Sequence, residues 1–397
     1  MKPGALALVA LMALPAVAED MEAIYQARFK ATTANGGYIP EYAPQEPVAG
    51  AEQVVPLPVA ASGKLTVDEA ALDRAEEYAR ANNSTAFIVW HKGKIQRATY
   101  FGDVTAATPL TTMSLSKPMT ALAVGRAIKL GYIDSLDQPL SDFFTEWQGT
   151  PKASMRVRHL LDMRTGLLPQ AYSPDPDHPL NRAYLSPEHG KYIVEEYPLV
   201  EAPGSVYGYS NATADLVAVL IERATGQRYG EFLGGEVLAK IGAPGGSQWV
   251  NRPGGMAHSG CCAYFPAETY LRMAILLLKG DGIAGEQLLP DGYVKEMRTA
   301  TPQNPHYGLG LWIGGEYIAR RSFAGPHASG PKVLHSEPFV DKDIFMFDGN
   351  FNQVVYIEPN FDLIVLRVGK NPPKSPEWDN SFLANTLARA VKDRNPG

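Results

Sequence analysis

Residues 111–131 read TTMSLSKPMTALAVGRAIKLG, and the fold turns on them. Ser114 stands three residues before Lys117, at the head of a long apolar helical run. Three residues is nearly one helical turn, so both side chains project from the same face near the helix N-terminus. Unpaired backbone N–H groups give that end partial positive charge. A hydroxyl there is placed to act as a nucleophile. A desolvated lysine one turn on can be neutral enough to take its proton. The same spacing also suits two serines competing as helix caps beside a solvated lysine, so the surroundings must decide.

Outward from this helix, the composition is that of a globular protein. The chain has 397 residues, is 45% apolar and 20% charged, and carries a net charge of −6. That balance, with no long basic block, argues against a nucleic-acid binder. The first residues, MKPGALALVALMALPAVA, combine Lys2, an Ala/Leu/Val run and a small-x-small end. They predict an export signal at 1–18, cleaved after Ala18, with the mature protein periplasmic or secreted. The run is too short for a permanent membrane span. Cys261 and Cys262 are the only cysteines and are adjacent, so no disulfide framework is available. Two buried thiols are expected, a vicinal disulfide being the alternative.

Residues 19–64 read as an extended, loop-like arm over the body. A helix capped by Thr66 is predicted from Val67 to Asn82, followed by two strands, TAFIVWHKG and KIQRATYFG, joined at Lys92–Gly93. After the central helix, SMRVRHLLDMRTGL predicts a helix through Met163 stopped at Gly166. Residues 168–198 are proline-rich and read as a lid or binding wall. ATADLVAVLIERATG is a strongly periodic helix ended by Gly226. From Tyr307 onward, YGLGLWIGG, DIFMFDG, NQVVYIEP and LIVLRVG read as strands, closed by the helix SFLANTLARAVKD. Strands near both ends would then form one sheet. Residues 65–397 are read as a single unit, its α/β part from 65–130 and 300–397 and its helical part from 131–299.

Two further stretches offer side chains for chemistry, although each taken alone also reads as plain structure, a capped helix start at 203–211 and a hairpin turn at 347–353. In PGSVYGYSN (203–211), Tyr209 and Asn211 sit just before a helix. A phenol near a lysine can relay a proton, and an amide two residues on can hold the lysine or a substrate carbonyl. In FDGNFNQ (347–353), Gly349 lets the backbone approach a ligand and turn an N–H toward a developing oxyanion.

Ser-x-x-Lys on a helix, Tyr-x-Asn about a hundred residues later and a strand-edge glycine near the end follow one order. In these motifs the chain resembles the penicillin-recognising serine hydrolases, specifically the class C-like group. That group includes family VIII carboxylesterases, 6-aminohexanoate-dimer hydrolases and alkaline D-peptidases. The resemblance runs from about Leu65 to Lys392. It implies a β-lactamase/transpeptidase-like α/β (α+β) fold, an antiparallel sheet flanked by helices with an inserted, mostly helical domain. It implies Ser114 as the acylated nucleophile, Lys117 and Tyr209 as general base and acid, and Asn211 as the residue that positions the lysine. The backbone N–H groups of Ser114 and Asn350, after Gly349, would form the oxyanion hole. No metal or organic cofactor is required. Tyr172, Tyr207, Trp312 and Phe351 are the candidates for pocket walls.

Relatives that act on penicillins have Lys/His-Thr/Ser-Gly where this chain has Phe347-Asp348-Gly349, to grip a substrate carboxylate, and this chain offers no cation there. Asp348 would repel that carboxylate if it faced the cleft. The expected reaction is therefore hydrolysis of small esters or amides, with a β-lactamase or D-Ala-D-Ala peptidase as the alternative. A non-catalytic periplasmic binding protein of the same fold is the second alternative. The expected partner is a small-molecule ester or amide, with neither nucleic acid nor stable membrane insertion. Gly208–Ala212 also approximates Gly-x-Ser-x-Gly, which would make Ser210 an α/β-hydrolase nucleophile on a parallel sheet.

Overall fold

The computed structural model describes residues 20–392 apart from 112, 172, 281 and 327. The predicted export signal and Tyr172 lie outside the described residues. Six strands form the main sheet in the order Lys94–Tyr100, Ser84–His91, Leu363–Gly369, Gln353–Glu358, Phe345–Gly349, Trp312–Ile313. Every pairing is antiparallel. The strand Leu363–Gly369 enters beside the N-terminal hairpin, so the sheet joins both ends of the chain. The hairpin turns at Lys92 (φ 46°) and Gly93 (φ 85°), the two consecutive left-handed residues that match the twist of the flanking strands.

Alternation along each strand builds two cores. Ala86, Ile88 and Trp90 pack with the helix Lys117–Lys129 and the helix Ala267–Lys279 on one face. Phe87 and Val89 pack with Leu72 of the helix Glu69–Ala81 and Leu383 of the helix Phe382–Ala388 on the other. The helical middle, residues 113–297, lies above the first face. Its helix Asn211–Thr225 is ended by Gly226 in the left-handed conformation (φ 73°), as its sequence requires.

Several elements differ from their sequence readings. Residues 20–64 are not simply loop-like. Asp20 accepts hydrogen bonds from the N–H groups of Glu22 and Ala23 and starts the helix Met21–Ala34. Farther on, Gln45–Val48 pairs with Gly246–Trp249. Asp68, not Thr66, caps the helix Glu69–Ala81, because the Thr66 hydroxyl is engaged with His91 Nδ1 at 2.6 Å. The helix Val157–Leu161 ends before Met163, which turns into left-handed backbone (φ 60°). The stretch from 168 to 198 holds two short helices, Pro179–Leu185 and His189–Glu195. Cys261 and Cys262 are joined in a vicinal disulfide, against the expectation of two thiols.

Candidate active site

The serine and lysine enter the site from two different kinds of turn. Met113–Ser116 is a short 3-10 helix, and the α-helix begins only at Lys117. Ser114 thus sits on the tighter turn before the helix, after Met113 with a positive φ of 51°. Lys117 is 2% exposed although it carries an amine. Its Nζ lies 3.2 Å from Ser114 Oγ, 2.7 Å from Asn211 Oδ1 and 2.9 Å from the Gly260 carbonyl oxygen. Burial holds the amine well below the usual lysine range, and the nearby Asp215 carboxylate pulls it partly back. A neutral amine can give its two N–H groups to Asn211 and Gly260. Its lone pair then faces the serine hydroxyl.

Tyr209 completes the cluster. Its phenol shares a hydrogen bond with the Ser114 side chain, and its ring centroid lies 4.6 Å from Lys117 Nζ. Burial pushes the phenol above its ordinary range, which keeps it protonated and able to donate. Ser210 is buried and caps the helix Asn211–Thr225 by accepting from Thr213 N. The Ser210 reading therefore fails twice, since the hydroxyl is inaccessible and the sheet is antiparallel.

On the opposite side, the strand Phe345–Gly349 runs beside the Met113–Ser116 turn. Gly349 is extended and leads into Asn350, after which Phe351 (φ 66°) and Asn352 (φ 54°) are both left-handed. Two non-glycine residues in that region need support. Arg367 provides it: Nη1 donates to the Phe351 carbonyl at 2.6 Å and to the Asn352 carbonyl at 3.1 Å. Gln353 Nε2 donates to the Thr111 carbonyl at 3.1 Å and ties this turn to the serine segment.

A cleft of about 540 Å³ opens over Ser114, Tyr209, Asn211, Gly349 and Asn350. Phe351 lines it as expected, but Tyr207 and Trp312 do not. Trp312 is 2% exposed in the core behind Tyr209, and Tyr207 packs against Tyr307 with centroids 5.5 Å apart. Asp348 also points away from the cleft. It is buried and paired with Arg321, whose guanidinium lies 4.0 Å from the Trp312 ring centroid. The repulsion expected from Asp348 is therefore absent, because its charge is already matched.

Sequence reasoning missed three parts of the cleft. Tyr38, Ile39 and Tyr42 reach it from the N-terminal arm, and Tyr38 faces Phe351 across 6.0 Å. The Cys261–Cys262 disulfide forms an apolar patch with Tyr42, Met113 and Tyr184. Lys332 is exposed on the rim and is the one charged side chain among the described lining residues. No local pattern announces these residues, since each reaches the cleft through a distant chain segment.

Behind Lys117 lie His189, Asp215 and His258, whose donor atoms fall within 4.8 Å of one another. The geometry suits a metal poorly. The two imidazoles stack at 3.7 Å and 7°, so their in-plane lone pairs run side by side instead of converging. Both Asp215 oxygens are also taken, by His258 Nδ1 and Gly260 N, each at 2.8 Å.

Residues 72–368 match the family model described as Beta-lactamase. Among solved structures, the fold is similar to the "Putative 6-aminohexanoate-dimer hydrolase from Bacillus anthracis", at TM-score 0.63 and 18% identity over 87% of this chain and 89% of that one. It is similar to EstCE1, a hydrolase with promiscuous acyltransferase activity, at TM-score 0.58 and 15% identity over 82% and 98%. A D-stereospecific amidohydrolase from Streptomyces sp. matches at TM-score 0.54 and 18% identity over 77% and 95%.

Proposed function

Because the chain belongs to the Beta-lactamase family, we propose that it is a serine hydrolase cleaving small esters or amides through an acyl-Ser114 intermediate. The observation that carries this reading is the buried Lys117 amine, 3.2 Å from Ser114 Oγ with two fixed acceptors behind it. In the proposed reaction Lys117 takes the Ser114 proton as Oγ bonds to the substrate carbonyl carbon. The oxygen of the tetrahedral intermediate is held by the backbone N–H groups of Ser114 and Asn350. Tyr209 passes a proton to the departing alcohol or amine as the carbon–heteroatom bond breaks. Water then attacks the acyl carbon, giving its proton back through Tyr209 and Lys117, and Ser114 is regenerated as the acid leaves.

The cleft favours a neutral, compact acyl group. Its described walls combine aromatic rings, a methionine and a disulfide with the amides of Gln170, Asn352 and Asn371, and they contain no carboxylate. The names of two proteins of similar fold, a hydrolase with promiscuous acyltransferase activity and an amidohydrolase, agree with acyl transfer from an ester or amide. Lys332 supports a second reading, in which the substrate ends in a carboxylate, as penicillins and D-Ala-D-Ala peptides do. Export also belongs to the proposal, and the disulfide suits an oxidising compartment.

The test is a panel of short p-nitrophenyl esters, nitrocefin, a D-Ala dipeptide and a linear aminohexanoate dimer, with intact-mass analysis of the trapped acyl-enzyme. Ester or amide turnover with an adduct on Ser114, lost in Ser114→Ala, is expected. Turnover that survives Ser114→Ala would overturn the proposal, and nitrocefin cleaved as fast as the esters would favour the second reading.

A further inference from the structure

Asp215 and His258 are fully buried titratable groups with no part in the steps above, yet Asp215 is linked to the base through a single residue, Gly260, and His258 is bonded to Asp215. Asp215 follows Asn211 by one turn of the helix Asn211–Thr225, so the two project from one face. Its Oδ1 accepts from Gly260 N at 2.8 Å, and its Oδ2 accepts from His258 Nδ1 at 2.8 Å. The carbonyl of the same Gly260 accepts from Lys117 Nζ at 2.9 Å. Ser259, between His258 and Gly260, donates to the Ala214 carbonyl at 2.8 Å and accepts from Ala218 N at 3.2 Å. The turn lies so close to the helix that a Cβ on Gly260 would come within 2.6 Å of Ala214 Cβ. A carboxylate thus grips the turn whose carbonyl grips the amine.

We infer that Asp215 is a positioning residue for the acyl transfer: through Gly260 it sets where the Lys117 amine stands, and its buried charge favours the amine's protonated form. The inference rests on the acyl-serine reading above. The electrostatics agree with the geometry, since burial lowers Lys117 and raises Asp215 while each opposes that drift in the other. Other groups face the pair. Tyr209 and Ser114 face the amine. His258, His189, Tyr184 and Tyr229 surround the carboxylate, and Arg28 acts on the two imidazoles. Arg321 and Asp348 reach the amine only through Tyr209. Burial keeps both imidazoles neutral, leaving Asp215 as the charge that acts on the lysine.

Asp215→Asn tests this, because it keeps the volume and an acceptor for Gly260 N–H but removes the charge. With p-nitrophenyl acetate, the acidic limb of kcat/KM is expected to move to lower pH by roughly one unit, since the amine then loses its proton more readily. A purely structural role would lower the plateau or the melting temperature and leave the limb in place. An unmoved limb in folded Asp215→Asn overturns the inference. Should that variant fail to fold, His258→Phe decides. It retains the ring stack on Trp249, now at 3.8 Å and 13°, but removes the Nδ1–H donor. A smaller shift in the same direction is expected, and an unmoved limb overturns the inference there too. Wild-type protein that neither turns over esters nor is labelled at Ser114 by a fluorophosphonate removes the acyl-serine reading itself, so the two failures are distinct.

Discussion

Lys117 in its charged form has three protons and meets three acceptors, so its site is complete for the ammonium and poised for the amine. Burial decides between the two forms. The group's folded-state pKa lies below its unfolded value of 10.5, so the active, neutral base accumulates at a pH where an exposed lysine is still charged. The rate should therefore rise with pH through a limb well below the lysine range, and a limb near 10 would exclude Lys117 as the base. Lys117→Ala should cost about 10²- to 10⁴-fold in kcat/KM, with substrate affinity changed far less. Spacing alone did not single out these residues, since Ser-x-x-Lys and Tyr-x-Asn also suit plain helix starts; only the order of three motifs along the chain, and the resemblance it carries, drew them into one reading. Trp312 and Tyr207 were misread as walls. An aromatic ring is equally at home in a core, and only the packing around Tyr307 and Arg321 shows which side of the strand it serves.

At the level of elements, the Asn350–Asn352 turn depends on one buried guanidinium. Arg367 is 0% exposed, donates to the carbonyls of Phe351, Asn352, Asn82 and Lys370, and is held by Ser84 Oγ at 2.9 Å. Arg367→Met leaves those carbonyls without their donor and should destabilise the fold by about 3 kcal/mol, read from the urea midpoint. It should also reduce the acylation burst, because Asn350 loses its fixed direction. A variant with a normal burst amplitude would show that the turn holds itself. In the sequence, LIVLRVG announces a strand, but its arginine gives no hint of a partner across the sheet. Likewise ATADLVAVLIERATG declares a helix by its period while hiding that Asp215 points inward. Period reports which face is apolar, and an inward acid on that face is visible only once its partners are placed.

At the scale of the whole molecule, the arm from 20 to 48 closes one side of the cleft and is anchored far from it. Arg182 pairs with Glu22, and Gln45–Val48 pairs with Gly246–Trp249. Removing residues before 43 should widen the cleft by taking away Tyr38, Ile39 and Tyr42. Hydrolysis of bulky aryl esters should then gain relative to acetate, measured as a ratio of kcat/KM values. An unchanged ratio would mean that the arm does not select substrates. The main sheet was readable as strands at both ends of the chain because alternation and turn residues mark each strand locally. The arm's helix was not readable, because Met21–Ala34 has little amphipathic contrast and buries only Tyr25. Its place depends on tertiary partners such as Arg182, which no local window contains.

Among the described residues, the strand Leu363–Gly369 is what joins the N-terminal hairpin to the strands that frame the cleft. A ribosome that stops short of it releases a polypeptide holding Ser114 and Lys117 but no continuous scaffold, and without Arg367 to brace the turn opposite. A chain that ends before Leu363 should therefore not be labelled at Ser114 by a fluorophosphonate.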